Sequence, residues 1–191
     1  LAWTDARTFD KTGFDLYVQK LDEDGNAIYA NGGKDVALNP KDQTTPRLVA
    51  ADEGGVFLFW NDNRYGKISI FMQRIPATGE FSYQDNYCVY VAYNNQKEIQ
   101  VVKSKTDDFY IAWVDEKYGP AATKIHIQKT NRWGATQWYQ EGILTCTSVG
   151  KQYSPKLSIT NDGVVVAWVD HRDIYHTKAN LYAQKISPDG E

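Results

Sequence analysis

Four short stretches place a carboxylate two residues before a basic side chain, and in each a tryptophan stands two positions before the carboxylate. An Asp beside an Arg or Lys could form an acid–base pair, but such a pair can also be a structural ion pair. A catalytic group is needed once per site, whereas this motif occurs four times. We therefore interpret it as structural. Its members are Trp3, Asp5 and Arg7; Trp60, Asp62 and Arg64; Trp113, Asp115 and Lys117; and Trp168, Asp170 and Arg172.

The histidines and cysteines offer the other candidate chemistry, which is metal binding or a disulfide. His171 and His176 lie in one loop, but a zinc site needs further ligands at suitable spacing. His126 stands where the other repeats have Tyr or Phe, which favours a packing role. Cys88 and Cys146 occupy nearly equivalent positions in successive repeats, so we predict two unbridged thiols. Neither a metal nor a cofactor is predicted.

The spacing of the tryptophan motif indicates a repeat protein. Its copies begin 57, 53 and 55 residues apart, a period typical of propellers and solenoids. Three further landmarks recur with it. They are a glutamine at Gln19, Gln73, Gln128 and Gln184; a turn glycine at Gly25, Gly79, Gly134 and Gly190; and an aromatic residue at Tyr29, Tyr83 and Trp138.

Each period contains four apolar runs separated by turn residues, which predicts four β-strands, called here A to D. Strand A begins at Pro46 or Pro155, strand B ends at the motif tryptophan, strand C contains the glutamine, and strand D follows the glycine. No helical stretch is predicted. Four antiparallel strands in about 55 residues form one propeller blade. A β-sandwich is the alternative, but it gives no reason for a motif of fixed period.

The order of these strands predicts an all-β chain, a β-propeller segment with two complete and two partial four-stranded antiparallel blades. The strands occur as BCD, ABCD, ABCD and ABC, with blade boundaries at 1–45, 46–97, 98–154 and 155–191. Because the first residue is Leu1 and both end pieces contain strands B and C, we expect a processed product or a fragment of a larger propeller. Unpaired edges are expected to contact further propeller repeats or a partner protein.

Composition excludes several classes of partner. The net charge is −3 and aromatic residues make up 14% of the chain, so there is no basic surface for nucleic acid. No apolar run approaches the roughly 20 residues of a membrane-spanning helix. No signal peptide opens the chain.

Loops between strands B and C vary in length, whereas the turns between C and D do not. Variable loops on a constant scaffold commonly carry binding groups. Aromatic side chains there would suit stacking on a glycan or anchoring a protein partner. The predicted ligand-binding residues are Phe9, Phe14, Tyr65, Tyr118, Tyr175 and His176.

The succession of Trp-x-Asp-x-Arg, Tyr-x-Gln-Lys, Asp-Gly and an aromatic resembles β-propeller repeats of secreted and cell-surface proteins of bacteria, notably Bacteroidota. This resemblance implies an extracellular or cell-surface location and a role in interaction or display. A resemblance to the Asp-box of sialidases at residues 160–168 fails because its spacing is wrong. We therefore expect a non-catalytic module that binds a protein or glycan, and not an enzyme. The alternatives are a fragment of a propeller-type glycosidase or lyase, and a structural spacer.

Overall fold

A computed structural model describes residues 1–82, 86–91 and 93–191. The chain divides into two compact units, Leu1–Val91 and Ala92–Glu191, called unit 1 and unit 2. Each unit contains two antiparallel β-sheets, so the chain is all-β. Within the described ranges, no helix has the length and apolar character needed to cross a membrane.

Unit 1 contains one sheet of three strands and one of four. The first sheet has the order β1-β2-β3 and the second the order β4-β5-β6-β7. One turn of helix, α1, lies between β1 and β2, where the sequence predicts no helix. The elements are β1 (Ala2–Asp5), α1 (Phe9–Thr12), β2 (Asp15–Val18), β3 (Lys34–Ala37), β4 (Gln43–Ala50), β5 (Val56–Asp62), β6 (Ser69–Ile75) and β7 (Tyr87–Tyr90).

Unit 2 contains the same kinds of sheet in the opposite order. Its four-stranded sheet has the order β11-β10-β9-β8 and its three-stranded sheet the order β12-β13-β14. The strands are β8 (Gln96–Lys103), β9 (Phe109–Asp115), β10 (Lys124–Thr130), β11 (Ile143–Leu144), β12 (Gln152–Thr160), β13 (Gly163–Asp170) and β14 (Asn180–Ile186).

Every sheet is a meander in which strands adjacent in sequence pair with each other. The strand content of the four sheets therefore confirms the predicted order BCD, ABCD, ABCD and ABC. Strands β4 and β12 each lie at one edge of their sheet. They begin three residues before Pro46 and Pro155, which the sequence predicted as the first residues of strand A. Proline cannot donate to a ladder, and in both strands it lies within a β-bulge that shifts the register.

The central strands form the cores. All seven residues of β9 are buried, and so are six of the seven in β5, which ends on the motif tryptophan and aspartate. Trp60 belongs to the apolar cluster of unit 1, and Trp168 to that of unit 2. A run without polar alternation is expected for strands covered on both faces. The apolar packing of these strands fixes the position of their ends, where the motif aspartates lie.

The turns between strands C and D confirm the role predicted for the recurring glycines. Gly25, Gly79, Gly134 and Gly190 have φ angles of 84°, 86°, 86° and 91°, which side chains with a Cβ rarely adopt. Of the aromatic residues expected after these turns, Tyr83 lies outside the described residues.

Candidate functional site

In all four sheets the tryptophan indole and the backbone N–H of the basic residue donate to the motif aspartate. In the last sheet, Trp168 Nε1 donates to Asp170 Oδ2 at 2.9 Å, and the Arg172 backbone N–H donates to Oδ1 at 2.8 Å. The Arg172 guanidinium adds a bidentate contact, with Nη2 2.8 Å from Oδ2. These bonds close the strand end and satisfy a fully buried carboxylate. The structural interpretation of the motif agrees with this geometry.

The basic residue of the motif also packs on an aromatic ring of strand C. Arg172 lies 3.5 Å above the centre of Tyr182, and Arg7 and Arg64 make the same contact in their own sheets. Lys117 is the exception, because its ammonium pairs with Glu141 at 3.0 Å and not with Asp115. The third copy of the motif therefore has a weaker network.

The recurring glutamine bonds to the backbone of its own sheet in the copies at Gln19 and Gln128. Gln128 accepts from the backbone of Trp138 at 3.1 Å and donates to the Tyr139 carbonyl at 2.7 Å. Gln19 makes the matching bond from the Tyr29 N–H at 2.9 Å. The glutamine thus fixes the segment that leads towards strand D of its own sheet.

His126 and the two cysteines occupy structural positions. The His126 ring stacks on Trp113 with centroids 5.8 Å apart, as the Tyr and Phe of the other copies do on their own tryptophans. Burial lowers the pKa of His126, so its neutral form is favoured. Cys88 and Cys146 are free thiols, as the sequence predicts. Within the described part of the chain, no three His, Cys, Asp or Glu side chains converge on a point that could hold a metal ion.

The predicted ligand-binding residues of unit 1 lie on adjoining loops. Phe9 and Phe14 pack edge to face with ring centroids 4.9 Å apart. Asp42 joins their loop to the loop of Tyr65, because its Oδ1 accepts from Phe14 N and its carbonyl accepts from Asn63 N. Tyr65 is 65% exposed. Three of the six predicted residues therefore share one loop surface.

The remaining three predicted residues lie on the corresponding loops of unit 2. Tyr118 is 59% exposed and Tyr175 is 94% exposed. His176 Nδ1 lies 2.5 Å from Asp173 Oδ1 within its own loop. The segment preceding β12 is hydrogen bonded to both loops. The ligand-binding role of the six residues stays a prediction.

A left-handed backbone conformation recurs near the start of the first strand in three of the sheets. The third residue of β4, β8 and β12 has a positive φ, at 54° for Thr45, 52° for Glu98 and 53° for Ser154. A left-handed conformation costs a residue with a side chain roughly 1–2 kcal/mol, and such positions and bulges concentrate at functional sites. One of the three residues, Glu98, carries a carboxylate that the repeat does not explain.

Two glutamates outside the repeat pattern face the start of β12 in unit 2. Glu98 Oε2 accepts from the Ser154 backbone N–H at 2.8 Å, and no hydrogen bond from a described residue reaches its Oε1. Glu116 accepts from Lys97 Nζ at 2.7 Å and from Asn95 Nδ2 at 2.9 Å. These two bonds and the nearby positive charges hold the pKa of Glu116 below its usual value. Glu116 is therefore an ionised carboxylate that is bonded to Lys97, the residue before Glu98.

Three further polar residues lie at the start of β12 and on the loop that is hydrogen bonded to it. The Tyr153 hydroxyl is 3.1 Å from His171 Nε2, and the two rings meet edge to face. Lys151 Nζ lies 5.6 Å from the centre of the Tyr153 ring, and its charge also reaches Glu116. Hereafter the polar cluster of unit 2 means Lys97, Glu98, Glu116, Lys151, Tyr153 and His171.

Asp15 in unit 1 is another carboxylate outside the repeat pattern, but it does not face solvent. It is fully buried at the start of β2, and its Oδ2 accepts from the hydroxyls of Thr8 and Thr12. Its Oδ1 has no hydrogen-bond partner among the described residues. A substrate could not reach this carboxylate without displacing α1, so unit 2 holds the more accessible pair.

Comparisons with solved structures find a similar fold in three proteins whose names describe enzymes. No family model and no curated protein matches the chain. An exo-1,5-α-L-arabinanase from a bovine ruminal metagenomic library has a TM-score of 0.54 at 11% identity, with 96% of this chain and 69% of the enzyme covered. An endo-arabinase from Bacteroides thetaiotaomicron has a TM-score of 0.51 at 10% identity, covering 93% and 67%. An endo-1,4-β-xylanase from the same organism has a TM-score of 0.50 at 10% identity, covering 80% and 53%.

These likenesses overturn two predictions from sequence. The chain was expected to be a non-catalytic interaction or display module and not an enzyme, and both expectations are wrong, because the solved structures with this fold are glycan-degrading enzymes. The chain spans only about half the length of the xylanase, at 53%. At these identities the likeness establishes the fold alone.

Sequence reasoning missed Glu98 and Glu116 because it searched for what the repeats share. Both residues are departures from the repeat. Glu116 stands where the other motif copies have Ala6, Asn63 and His171, and Glu98 aligns with Thr45 and Ser154. A search for charged residues at otherwise variable positions would have found them.

Proposed function

We propose that this chain belongs to a glycoside hydrolase that acts on a polysaccharide, with its four sheets serving as blades of a larger β-propeller. The observation that carries the proposal is the shared fold with a xylanase and two arabinan-degrading enzymes. The pair of non-repeated glutamates in unit 2 supports it, because glycosidases use two carboxyl groups.

Glu116 is the candidate base. Lys97 and Asn95 keep its carboxylate ionised, so it can accept a proton from a water molecule as that water attacks the sugar. Glu98 is the candidate second carboxyl group, because no hydrogen bond from a described residue occupies its Oε1. The left-handed backbone at Glu98 redirects a side chain that would otherwise alternate away from Lys97.

The spacing of the two glutamates favours hydrolysis with inversion. Glu116 N donates to the Asn95 carbonyl, and Glu98 lies three residues beyond Asn95. An extended strand at about 3.3 Å per residue spans about 10 Å over three residues, and the left-handed Glu98 shortens that span. Side chains from such positions can leave room for a water between the carboxyl groups, as inverting enzymes require at roughly 6.5–9.5 Å.

The exposed aromatic residues suit the binding of sugar rings. In unit 2, Tyr118 and Tyr175 would stack against a glycan that enters the polar cluster. An extracellular or cell-surface location fits this function, because polysaccharides are degraded where they are encountered. The resemblance to secreted bacterial repeats supports the same location.

The test is hydrolysis of purified polysaccharides by the 191-residue chain. The panel contains arabinan, xylan and polygalacturonate, and reducing ends are measured over time. We expect release from at least one polysaccharide. Glu98→Gln and Glu116→Gln should each reduce the rate by about 10²- to 10⁴-fold, the usual worth of acid–base catalysis.

The matched control is Glu141→Gln in the same unit, which removes a glutamate that pairs with Lys117 outside the polar cluster. It should retain full activity. Equal rates in all three variants would contradict the assignment of Glu98 and Glu116, and absence of hydrolysis on the whole panel would contradict the proposed function.

A further inference from the structure

A positively charged side chain without an acidic partner lies at the edge of the polar cluster of unit 2. Lys151 is exposed at the entry to β12, and no described carboxylate forms an ion pair with it. Glu116, whose carboxylate feels the charge of Lys151, is already bonded to Lys97 and Asn95. The Lys151 ammonium is thus available to a ligand.

A tyrosine–histidine pair extends this charge into the cluster. The Tyr153 hydroxyl lies 3.1 Å from His171 Nε2, and the His171 backbone N–H donates to the Lys151 carbonyl at 2.9 Å. The backbone bond fixes both loops, while the side chains present an ammonium, a hydroxyl and an imidazole on neighbouring positions. Such donors suit a planar carboxylate.

The repeat itself does not demand these residues. In the second sheet of unit 1, the corresponding positions are Asp42, Thr44 and Asn63. The backbone bond is conserved there, since Asn63 N donates to the Asp42 carbonyl at 2.9 Å. The same backbone arrangement therefore carries one acidic and two neutral side chains in the second sheet of unit 1. In the last sheet of unit 2 it carries a lysine, a tyrosine and a histidine.

We propose that the polar cluster of unit 2 selects a glycan that carries carboxylate groups, with Lys151, Tyr153 and His171 contacting a uronic acid residue. This inference rests on the proposed function and names its substrate class. Lys151 supplies the charge, and the tyrosine–histidine pair, which uses one donor in its own bond, supplies one directional hydrogen bond. Glu98 and Glu116 then flank the adjacent glycosidic bond.

Binding can be tested without hydrolysis. Trigalacturonic acid and its fully methyl-esterified form are titrated into the 191-residue chain by calorimetry. The two ligands share one sugar backbone and differ in charge. We expect the acid to bind about tenfold more tightly, the worth of one charge-assisted hydrogen bond, and the difference to shrink as salt is raised.

Lys151→Met should abolish the preference for the acid, and His171→Gln should reduce it. Lys156→Met removes another exposed lysine of β12 and should leave the preference unchanged. Thermal unfolding of each variant checks that the fold is retained. Equal affinity for both ligands, no binding of either, or an unchanged preference in Lys151→Met would overturn the inference.

The binding experiment can fail or succeed independently of the hydrolysis experiment that tests the proposed function. Preference for the acid that depends on Lys151, without hydrolysis of any polysaccharide, would leave the inference standing and remove the catalytic proposal. Hydrolysis that depends on Glu98 and Glu116 but shows no preference for acidic ligands would do the reverse.

Discussion

Replacing Asp170 by Asn should destabilise unit 2 more than the same replacement at Asp115. Five hydrogen bonds reach the carboxylate of Asp170, from Trp168, Gln152 and three nitrogens of Arg172. The side chain is fully buried, and that of Arg172 is 24% exposed. The neutral amide would remove the negative charge and leave the guanidinium without its ion pair.

The expected magnitude follows from this burial. Removing one partner of a buried ion pair costs about 3–5 kcal/mol. At Asp115, two donors from described residues reach the carboxylate, Trp113 Nε1 at 3.2 Å and Lys117 N at 2.7 Å, and the Lys117 ammonium pairs elsewhere. Asp115→Asn should therefore cost about 1–2 kcal/mol, the range for a buried hydrogen bond.

Urea unfolding followed by far-ultraviolet circular dichroism measures both changes within the same unit. The free energy of unfolding should fall by at least about 1 kcal/mol more in the Asp170 variant than in the Asp115 variant. The reason is that the Arg172 side chain bonds the Asp170 carboxylate, whereas the Lys117 side chain pairs with Glu141. Equal losses would refute the argument that the arginine contact strengthens the motif.

Three further outcomes follow from the structure. Burial alone would raise the pKa of Asp170, but its hydrogen bonds outweigh that effect and hold the pKa at about 2, below its ordinary 3.8. About 2 kcal/mol of stability should therefore be present above pH 4 and be lost as the pH falls towards 2. An acid titration that leaves the stability of unit 2 unchanged would contradict this. Burial raises the pKa of Cys88 to about 11, whereas at Cys146 the opposing burial effect is outweighed by hydrogen bonds and a nearby guanidinium, so the pKa is lowered. Iodoacetamide should label Cys146 first in peptide mass spectra, and earlier labelling of Cys88 would contradict the assignment. Gly55→Ala places a Cβ 2.2 Å from a carbonyl oxygen and should destabilise unit 1 far more than Gly25→Ala, where nothing lies within 4 Å; thermal unfolding with equal losses would contradict it.

The sheets could be predicted from sequence because packing and turn geometry repeat. Three of the four copies bury the motif tryptophan, as at Trp60, and each copy uses a glycine such as Gly25 where φ must be positive. Those demands recur with every sheet, so they leave a periodic trace. The predicted starts of β4 and β12 were too far along the chain, because Pro46 and Pro155 resemble first residues of a strand but lie in bulges within it.

The candidate site could not be predicted in the same way because it consists of exceptions to the repeat. Glu98 looks like an ordinary exposed residue of a strand, and its left-handed backbone has no signal in the local sequence. Its bond to Ser154 depends on the packing of β12 near β8, which links residues 56 positions apart. The geometry of the Trp-x-Asp motif agrees with a structural role, but it does not follow that the chain has no catalytic group.

The most direct test of the central claim is proton nuclear magnetic resonance of a polysaccharide during digestion by the chain. The account predicts a new anomeric signal from a released reducing end, with inverted configuration in the first product, and loss of that signal in Glu116→Gln. A spectrum without any new reducing-end signal after prolonged incubation with arabinan, xylan and polygalacturonate would contradict the claim that this chain hydrolyses glycans.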